Sequence, residues 1–74
     1  MARHRHHVRI GQHYQKKGAT FMVWEVTRIY EDLDGISHAL LIKIDDPTNR
    51  KTLAVDELST GQNYILSRDV DHMA

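Results

Sequence analysis

The sequence predicts one small all-β domain built from five short strands. β-branched and aromatic residues are concentrated in residues 21–45, at the density typical of strands. Gly35 divides this stretch where a hairpin connection is expected, and shorter alternating segments lie on both sides of it. Because the chain has 74 residues, of which 41% are hydrophobic, it has room for one core and only short loops.

Two registers are possible for the central hairpin. A two-residue loop of Asp34 and Gly35 would set Trp24 against Asp45 and mix core with charge. A three-residue loop that adds Leu33 puts Gly35 at the left-handed position of a G1 bulge and gathers the large apolar residues on one face. We therefore predict the longer loop. It pairs Tyr30 with His38, Arg28 with Leu40, Val26 with Ile42 and Trp24 with Ile44. The predicted inner face consists of Trp24, Val26, Leu40, Ile42 and Ile44.

The flanking segments complete the five strands. Residues 46–49 contain Pro47 and Asn49 and are typical of a tight turn, after which residues 51–55 alternate as a strand does. Residues 56–61 suit one helical or 3₁₀ turn ended by Gly61, and a last strand is expected at 63–67. Ahead of the hairpin, residues 8–15 are interpreted as a first strand or an extended arm, followed by a polar loop over 15–19.

This layout of five strands, a long bent central hairpin and a 3₁₀ turn before the closing strand resembles the SH3-like small barrels, which include Tudor-type and KOW-type modules. The resemblance covers residues 10–68 and implies a single five-stranded SH3-like barrel. Residues 1–9 are then a flexible basic arm and residues 69–74 a tail. Four short segments are also similar to segments of small bacterial proteins, a resemblance that implies no particular activity: residues 11–14, 23–26, 38–39 and 46–47. The resemblance assigns no binding residue.

Charge is balanced over the whole chain but not along it. Residues 1–17 contain five basic residues and no acidic one, a charge of +5, whereas residues 18–74 contain five basic and ten acidic residues, a charge of −5. Four of the six histidines also lie in the basic part, so mild acid would raise its charge further. A basic arm on an acidic body predicts an anionic partner.

Nucleic acid is the anionic partner that we expect, because such a module needs cations for phosphates and exposed rings on which bases stack. Arg28 beside Tyr30 and His38 would place a cation next to a ring on the outer half of the hairpin. The acidic body would repel phosphate except along the arm and near residues 28, 50 and 51. The candidate nucleic-acid-binding residues are Arg3, Arg5, Arg9, Lys16, Lys17, Arg28 and Tyr30.

An interaction with a protein partner, or with a second copy of the chain, is the alternative. In the predicted register, four apolar residues remain on the outer face of the central hairpin and need a cover: Val23, Ile29, Ala39 and Leu41. Another chain, the N-terminal segment or the last strand could provide it.

The sequence argues against catalysis and against a resident cofactor. It contains no cysteine, hence no disulfide and no thiolate ligand or nucleophile. Ser37 and His38 are neighbours in a predicted strand, where adjacent side chains point to opposite faces. The acidic residues cluster at turns, where Asp is expected for local hydrogen bonding, and the four glycines form no phosphate-binding loop. We expect no enzyme activity, no cofactor and no small-molecule substrate.

Metal binding and membrane insertion are also not expected. His4, His6, His7 and His13 could hold a metal ion only loosely, since flanking arginines repel a cation and nothing fixes the rings. The longest apolar stretch, residues 39–44, is far shorter than the roughly 20 residues of a membrane span. We expect a cytoplasmic protein without a metal site.

Overall fold

The computed structural model describes residues 6–70, which form one antiparallel sheet and one short helix. The strands are β1 (His13–Lys16), β2 (Ala19–Glu31), β3 (Ser37–Lys43), β4 (Asp46–Ala54) and β5 (Tyr64–Arg68), and the helix is α1 (Val55–Ser59). The strand order is β4-β3-β2-β1-β5, so β4 and β5 are the edges of an open sheet. The prediction of an all-β chain with five strands is confirmed.

The hairpin of β2 and β3 has the predicted three-residue loop. Gly35 has a φ of +79°, its N–H donates to the Asp32 carbonyl at 3.0 Å, and the Asp32 N–H donates to the Ile36 carbonyl at 3.0 Å. A residue with a Cβ would be strained at this φ, which explains the glycine. In the outer half of the hairpin the predicted register is also confirmed, since Tyr30 pairs with His38.

The register differs from the prediction in the inner half of the hairpin. Arg28 pairs with Leu40 and Val26 with Leu41, so Thr27 is an extra residue that forms a β-bulge. The Thr27 hydroxyl donates to the Leu40 carbonyl at 3.2 Å. Beyond the bulge every pairing moves by one residue, and the predicted pairs of Val26 with Ile42 and Trp24 with Ile44 are wrong. Trp24 pairs with Lys43 instead.

The bulge determines which residues of β3 enter the core. Trp24 and Val26 are buried as predicted, but Leu40 and Ile42 are only half-buried and Ile44 is exposed. The prediction that these three residues belong to the inner face is wrong, because a shift of one residue exchanges the two faces of a strand. The buried core consists of Val8, Tyr14, Trp24, Val26, Ala39, Leu41, Leu58 and Tyr64.

The connection between β3 and β4 is shorter than predicted. Ile44 and Asp45 form the turn, and Asp46 already pairs with Lys43. Pro47 therefore lies within β4 and not in a separate turn over residues 46–49. Because β4 is an edge strand and its register shifts at this point, a residue without an N–H is tolerated there.

The turn before the last strand is helical, as predicted, but it is α-helical and not 3₁₀. The Thr60 N–H donates to the Asp56 carbonyl at 3.2 Å, a spacing of four residues. Gly61, with a φ of +72°, then redirects the chain toward β5. Leu58 of this helix is fully buried, so the helix covers one end of the core.

The N-terminal segment packs against the sheet from residue 6 onward. Val8 is buried in the core, and β1 begins only at His13, after a turn in which the Gln12 N–H donates to the Arg9 carbonyl. Residues 6–9, which we assigned to a flexible arm, thus contact the body. Residues 1–5 of that arm lie outside the described residues.

Candidate nucleic-acid interface

Arg28, Tyr30 and His38 come together on the outer face of the hairpin. The Arg28 guanidinium carbon lies 5.8 Å from the centre of the Tyr30 ring, and the His38 ring centre lies 5.5 Å from it on the neighbouring strand. Tyr30 and Arg28 are exposed, whereas His38 is half-buried. The structure thus brings the predicted cation and the predicted ring into contact, within the range of a cation–π interaction.

His38 is held by the hairpin loop. Its Nε2 lies 2.8 Å from an Asp32 carboxylate oxygen, and the other carboxylate oxygen accepts the N–H groups of Asp34 and Ile36 at 2.9 and 3.0 Å. The hydrogen bond with His38, followed by that of the Ile36 N–H, lowers the pKa of Asp32. The loop therefore fixes the imidazole that packs against Tyr30.

A shallow groove of about 250 Å³ runs beside this ring. Arg28, Tyr30, Leu40 and Thr52 line it, so strands β2, β3 and β4 all contribute. Arg28, Leu40 and Thr52 are cross-strand neighbours. The groove presents a cation, an aromatic ring, an aliphatic side chain and a hydroxyl to one ligand.

Arg50 extends the positive charge of this groove along β4. It pairs with Ile42, two residues from Leu40, and therefore lies on the same face as the groove. Arg50 and Arg28 are both exposed, and the guanidinium of neither makes an ion pair or hydrogen bond with another of residues 6–70. We call Arg28, Tyr30, Leu40, Arg50 and Thr52 the outer groove.

Lys16 and Lys17 do not belong to the outer groove. Lys16 pairs with Ala19 at the start of β2, and Lys17 lies in the following turn. Arg28 lies nine residues beyond Ala19, which is about 30 Å along an unbent strand. The two groups of predicted cations thus lie at opposite ends of β2.

The other predicted basic residues belong to the N-terminal segment. Arg9 is half-buried, and its backbone N–H donates to the Gln12 side chain at 2.7 Å. Arg3 and Arg5 lie outside the described residues.

The residues predicted for a protein interface are mostly interior. Ala39 and Leu41 are fully buried, and Ile29 packs against the core, so the prediction that they form an outer surface is wrong. The reason is the bulge at Thr27, which turns this part of β3 inward. Only Val23 lies on the outer face, where it lines a small groove with Phe21, Ile44 and Asp45.

Lys51 is half-buried against the core, a position that sequence reasoning did not find. Its ammonium lies 4.2 Å from the centre of the Trp24 ring and donates to the Tyr64 hydroxyl at 3.0 Å. Lys51 therefore lies on the core face of β4, whereas its neighbour Arg50 lies on the face of the outer groove. The Trp24 indole N–H is buried without a hydrogen-bond partner.

Gln12 is the second residue that sequence reasoning missed, and it joins the two ends of the described chain. Its amide nitrogen donates to the His7 carbonyl at 3.0 Å and to the Asp69 carboxylate at 2.9 Å. Its amide oxygen accepts the N–H of Arg9 and the hydroxyl of Tyr14, both at 2.7 Å. No sequence signal marks a buried glutamine whose farthest partner, Asp69, lies 57 residues away along the chain.

Tyr14, at the centre of this network, is buried and held on both sides. Since its hydroxyl proton goes to Gln12, the His6 Nε2 at 2.8 Å donates to the hydroxyl oxygen. Burial, and secondly the nearby Asp69 charge, raise the pKa of Tyr14. His6 is thereby engaged in packing the N-terminal segment, with its ring stacked on that of Tyr14.

Within residues 6–70, no group of three or more histidine or acidic side chains is arranged to hold a metal ion. His4, from the histidine cluster considered above, lies outside this range. The same described part of the chain contains no helix long and apolar enough to cross a membrane.

Comparisons with known proteins identify no relative of this chain. No protein-family model matches the chain, and neither a curated protein nor a solved structure is significantly similar to it.

Proposed function

We propose that this protein binds single-stranded nucleic acid, RNA or DNA, in the outer groove. The observation that supports the proposal is the exposed Tyr30 ring with Arg28 beside it, together with the absence of an acidic partner for Arg28 and Arg50 among residues 6–70. An exposed ring stacks on a base of any sequence, and each such stack contributes about 1–3 kcal/mol. The proposal includes no catalytic step and no cofactor.

The surrounding charges suggest how a strand would lie. Glu31 ends β2 next to Tyr30, and Asp32 and Asp34 follow it in the hairpin loop. These acidic residues repel phosphates on that side. Arg50 lies on the other side of the groove, on β4. We therefore expect a base on Tyr30, with the adjoining phosphates near Arg28 and Arg50.

The fold that we propose for this function is the SH3-like small barrel. Its support is the strand order β4-β3-β2-β1-β5 with a helical turn before β5, and the contact of Lys51 on one edge strand with Tyr64 on the other. We also propose a cytoplasmic location. The chain has no cysteine and can form no disulfide, the bond for which small exported domains depend on an oxidising compartment.

Fluorescence anisotropy with a labelled oligouridine of about 12 nucleotides tests the function. We expect Tyr30→Ala to weaken binding roughly 5- to 100-fold, the effect of losing one stack. Arg28→Gln combined with Arg50→Gln should reduce the slope of log affinity against log salt by about 1.4, since each lost phosphate contact removes about 0.7.

Arg68→Gln is the matched control, because Arg68 is an exposed arginine on the opposite edge strand. A further variant measures how much of the binding affinity comes from the basic N-terminal part. In it, five residues are neutralised: Arg3, Arg5, Arg9, Lys16 and Lys17. An affinity that does not change with salt concentration would contradict the proposed site. So would an Arg68→Gln variant whose binding is weakened as much as that of the double variant. No binding of the wild-type chain at low salt would contradict the function itself.

A further inference from the structure

A pocket on the outer face of the sheet is lined by ionisable side chains that make no ion pair with each other. Its volume is about 370 Å³, within the range of small-ligand sites, and its lining residues are Gly11, His13, Glu25, Arg68, Asp69 and Val70. The side chains of His13, Glu25 and Arg68 make no ion pair or hydrogen bond with another of residues 6–70. We call these six residues the polar pocket.

The strand register places the ionisable side chains of the polar pocket in one row. His13 of β1 pairs with Glu25 of β2 on one side and with Arg68 of β5 on the other. Trp24 and Val26 are buried, so Glu25 between them points to the outer face. Residues directly opposite each other in an antiparallel pair share a face, so the whole row faces outward.

The same row continues into the outer groove. Glu25 pairs with Ile42 of β3, and Ile42 pairs with Arg50 of β4. Because neighbouring strands lie about 4.8 Å apart, the backbones at Glu25 and Arg50 are about 10 Å apart across the sheet. A single strand that contacts Arg50 therefore reaches the polar pocket within a few nucleotides.

Hydrogen bonds hold two walls of the polar pocket in place. The Gly11 N–H donates to the carbonyl of Val26, the residue after Glu25, at 2.8 Å. The Asp69 carboxylate accepts the buried Gln12 amide at 2.9 Å. A pocket whose walls are fixed before the ligand arrives loses little conformational entropy on binding.

Glu25 and His13 offer hydrogen bonds of opposite kinds side by side. An ionised carboxylate accepts hydrogen bonds at both oxygens and donates none. It repels phosphates, so the groups that suit it in a nucleic acid are the N–H groups of a base. An imidazole carries an N–H in either tautomer. The row thus presents two neighbouring acceptors followed by a donor.

Guanine is the base whose edge matches this order. Its Watson–Crick edge presents two neighbouring donors, N2–H and N1–H, followed by the acceptor O6. Uracil presents one donor between two acceptors, and cytosine and adenine each present one amino group next to an acceptor. In a single strand these edges are free to be read by side chains.

We propose that the polar pocket binds a guanine base of the strand that lies in the outer groove. The Glu25 carboxylate accepts N1–H and N2–H, and the His13 imidazole donates to O6. The inference rests on the proposed function, since the outer groove supplies the contacts with the rest of the strand. Stacking on Tyr30 is independent of sequence, whereas Glu25 and His13 determine specificity.

Fluorescence anisotropy with three labelled strands of about 12 nucleotides tests the inference. One is oligouridine, and the other two carry a central guanosine or a central adenosine. The guanosine strand should bind roughly 5- to 150-fold more tightly than oligouridine, the discrimination of a bidentate contact with a base. The adenosine strand should gain much less, because adenine stacks as a purine but lacks two neighbouring donors. Oligouridine offers the polar pocket no guanine, so its affinity reports the outer groove alone.

Glu25→Gln should abolish the preference for guanosine, because the amide replaces one acceptor by a donor. The loss of a negative charge raises the affinity for every strand, so the readout is the ratio of the guanosine and oligouridine affinities. Glu31→Gln is the matched control, since it removes the same charge from an exposed position at the end of β2. It should leave the ratio unchanged. Circular dichroism checks that both variants are folded.

Guanosine monophosphate as a competitor distinguishes a free nucleotide from a base within a strand. It should compete far more weakly than the unlabelled guanosine strand, because it makes no contact with the outer groove. Equal competition by the mononucleotide would overturn the assignment to a strand.

Two further results would overturn the inference. One is equal affinity for the guanosine and adenosine strands, and the other is a folded Glu25→Gln variant that keeps the guanosine preference. If binding of oligouridine still depends on Tyr30 in those cases, the proposed function stands without the guanine site. A wild-type chain that binds none of the three strands at low salt would contradict both.

Discussion

Gln12 shows how one buried side chain can fix segments that are distant in the sequence. Its amide has two N–H donors and an oxygen with two lone pairs, and all four positions are used. The bonded groups belong to the N-terminal segment, to β1 and to the residue after β5. A fully satisfied buried amide of this kind specifies one arrangement of its neighbours.

Replacing Gln12 by leucine should therefore destabilise the protein more than its size suggests. The substitution leaves the buried Tyr14 hydroxyl and the Arg9 N–H without their acceptor, and an unsatisfied buried group costs about 1–3 kcal/mol. We expect Gln12→Leu to lower the free energy of unfolding by about 2–4 kcal/mol, measured by urea denaturation. Gln62→Leu, at an exposed position, should change it by less than about 0.5 kcal/mol. Equal effects of the two substitutions would contradict this account of the network.

Single residues were predictable from the sequence where a local rule applies to them. Trp24 was expected in the core and is 3% exposed, and the proximity of Arg28 to Tyr30 followed from the spacing within one strand. Gln12 and Lys51 were not predictable. Gln12 is buried and Lys51 half-buried only because segments far away in the sequence supply a partner or a ring for them.

At the scale of elements, the hairpin separates what a sequence can specify from what it cannot. The loop was predictable because the conformation of Gly35 follows from its lack of a Cβ. The bulge at Thr27 was not, because threonine is an ordinary strand residue. That single extra residue exchanged the faces of β3, so Ala39 and Leu41 are buried where an outer surface was expected.

The loop of this hairpin should make stability depend on pH through Asp32. Its pKa is lowered in the folded state, chiefly by the hydrogen bond with His38. A lowered pKa stabilises the folded state above the ordinary pKa near 3.9, and the effect is lost as the pH falls through the folded value. Asp32→Asn keeps an oxygen for the two loop N–H groups but loses the charge. We expect it to be less stable than the wild type at neutral pH.

That difference should disappear in acid, where the wild-type Asp32 is also uncharged. Urea denaturation of both proteins from neutral pH down to pH 2 measures it. Asp34→Asn is the control on the same loop, because the exposed Asp34 carboxylate has no described partner. A difference between Asp32→Asn and the wild type that is constant over this pH range would show that the charge of Asp32 is not what stabilises the loop.

At the scale of the whole molecule, the sequence predicted the division of charge but not its distribution in space. The basic N-terminal part contributes Lys16 and Lys17 to one end of the sheet, while Arg28 and Arg50 come from the acidic part and lie in the outer groove. Positions along a strand follow from the sequence, but which strands become neighbours depends on the assembled sheet. The outer groove can therefore be tested separately from Lys16 and Lys17.

Whether the open sheet behaves as a closed unit depends on the contact between its two edge strands. Lys51 of β4 donates to the Tyr64 hydroxyl of β5 at 3.0 Å, with the Trp24 ring beneath its ammonium. A double-mutant cycle of Lys51→Met and Tyr64→Phe isolates this bond, because each substitution keeps most of the apolar part of its side chain.

If the bond holds the edges together, the coupling energy in urea denaturation should be about 0.5–1.5 kcal/mol. The same cycle between Lys51→Met and Tyr30→Phe should give a value close to zero, since Tyr30 lies in the outer groove and away from Lys51. A coupling energy of zero for Lys51 and Tyr64 would mean that this hydrogen bond does not hold β4 and β5 together. The support that their contact gives to a barrel would then be lost, although the five-stranded sheet itself would remain.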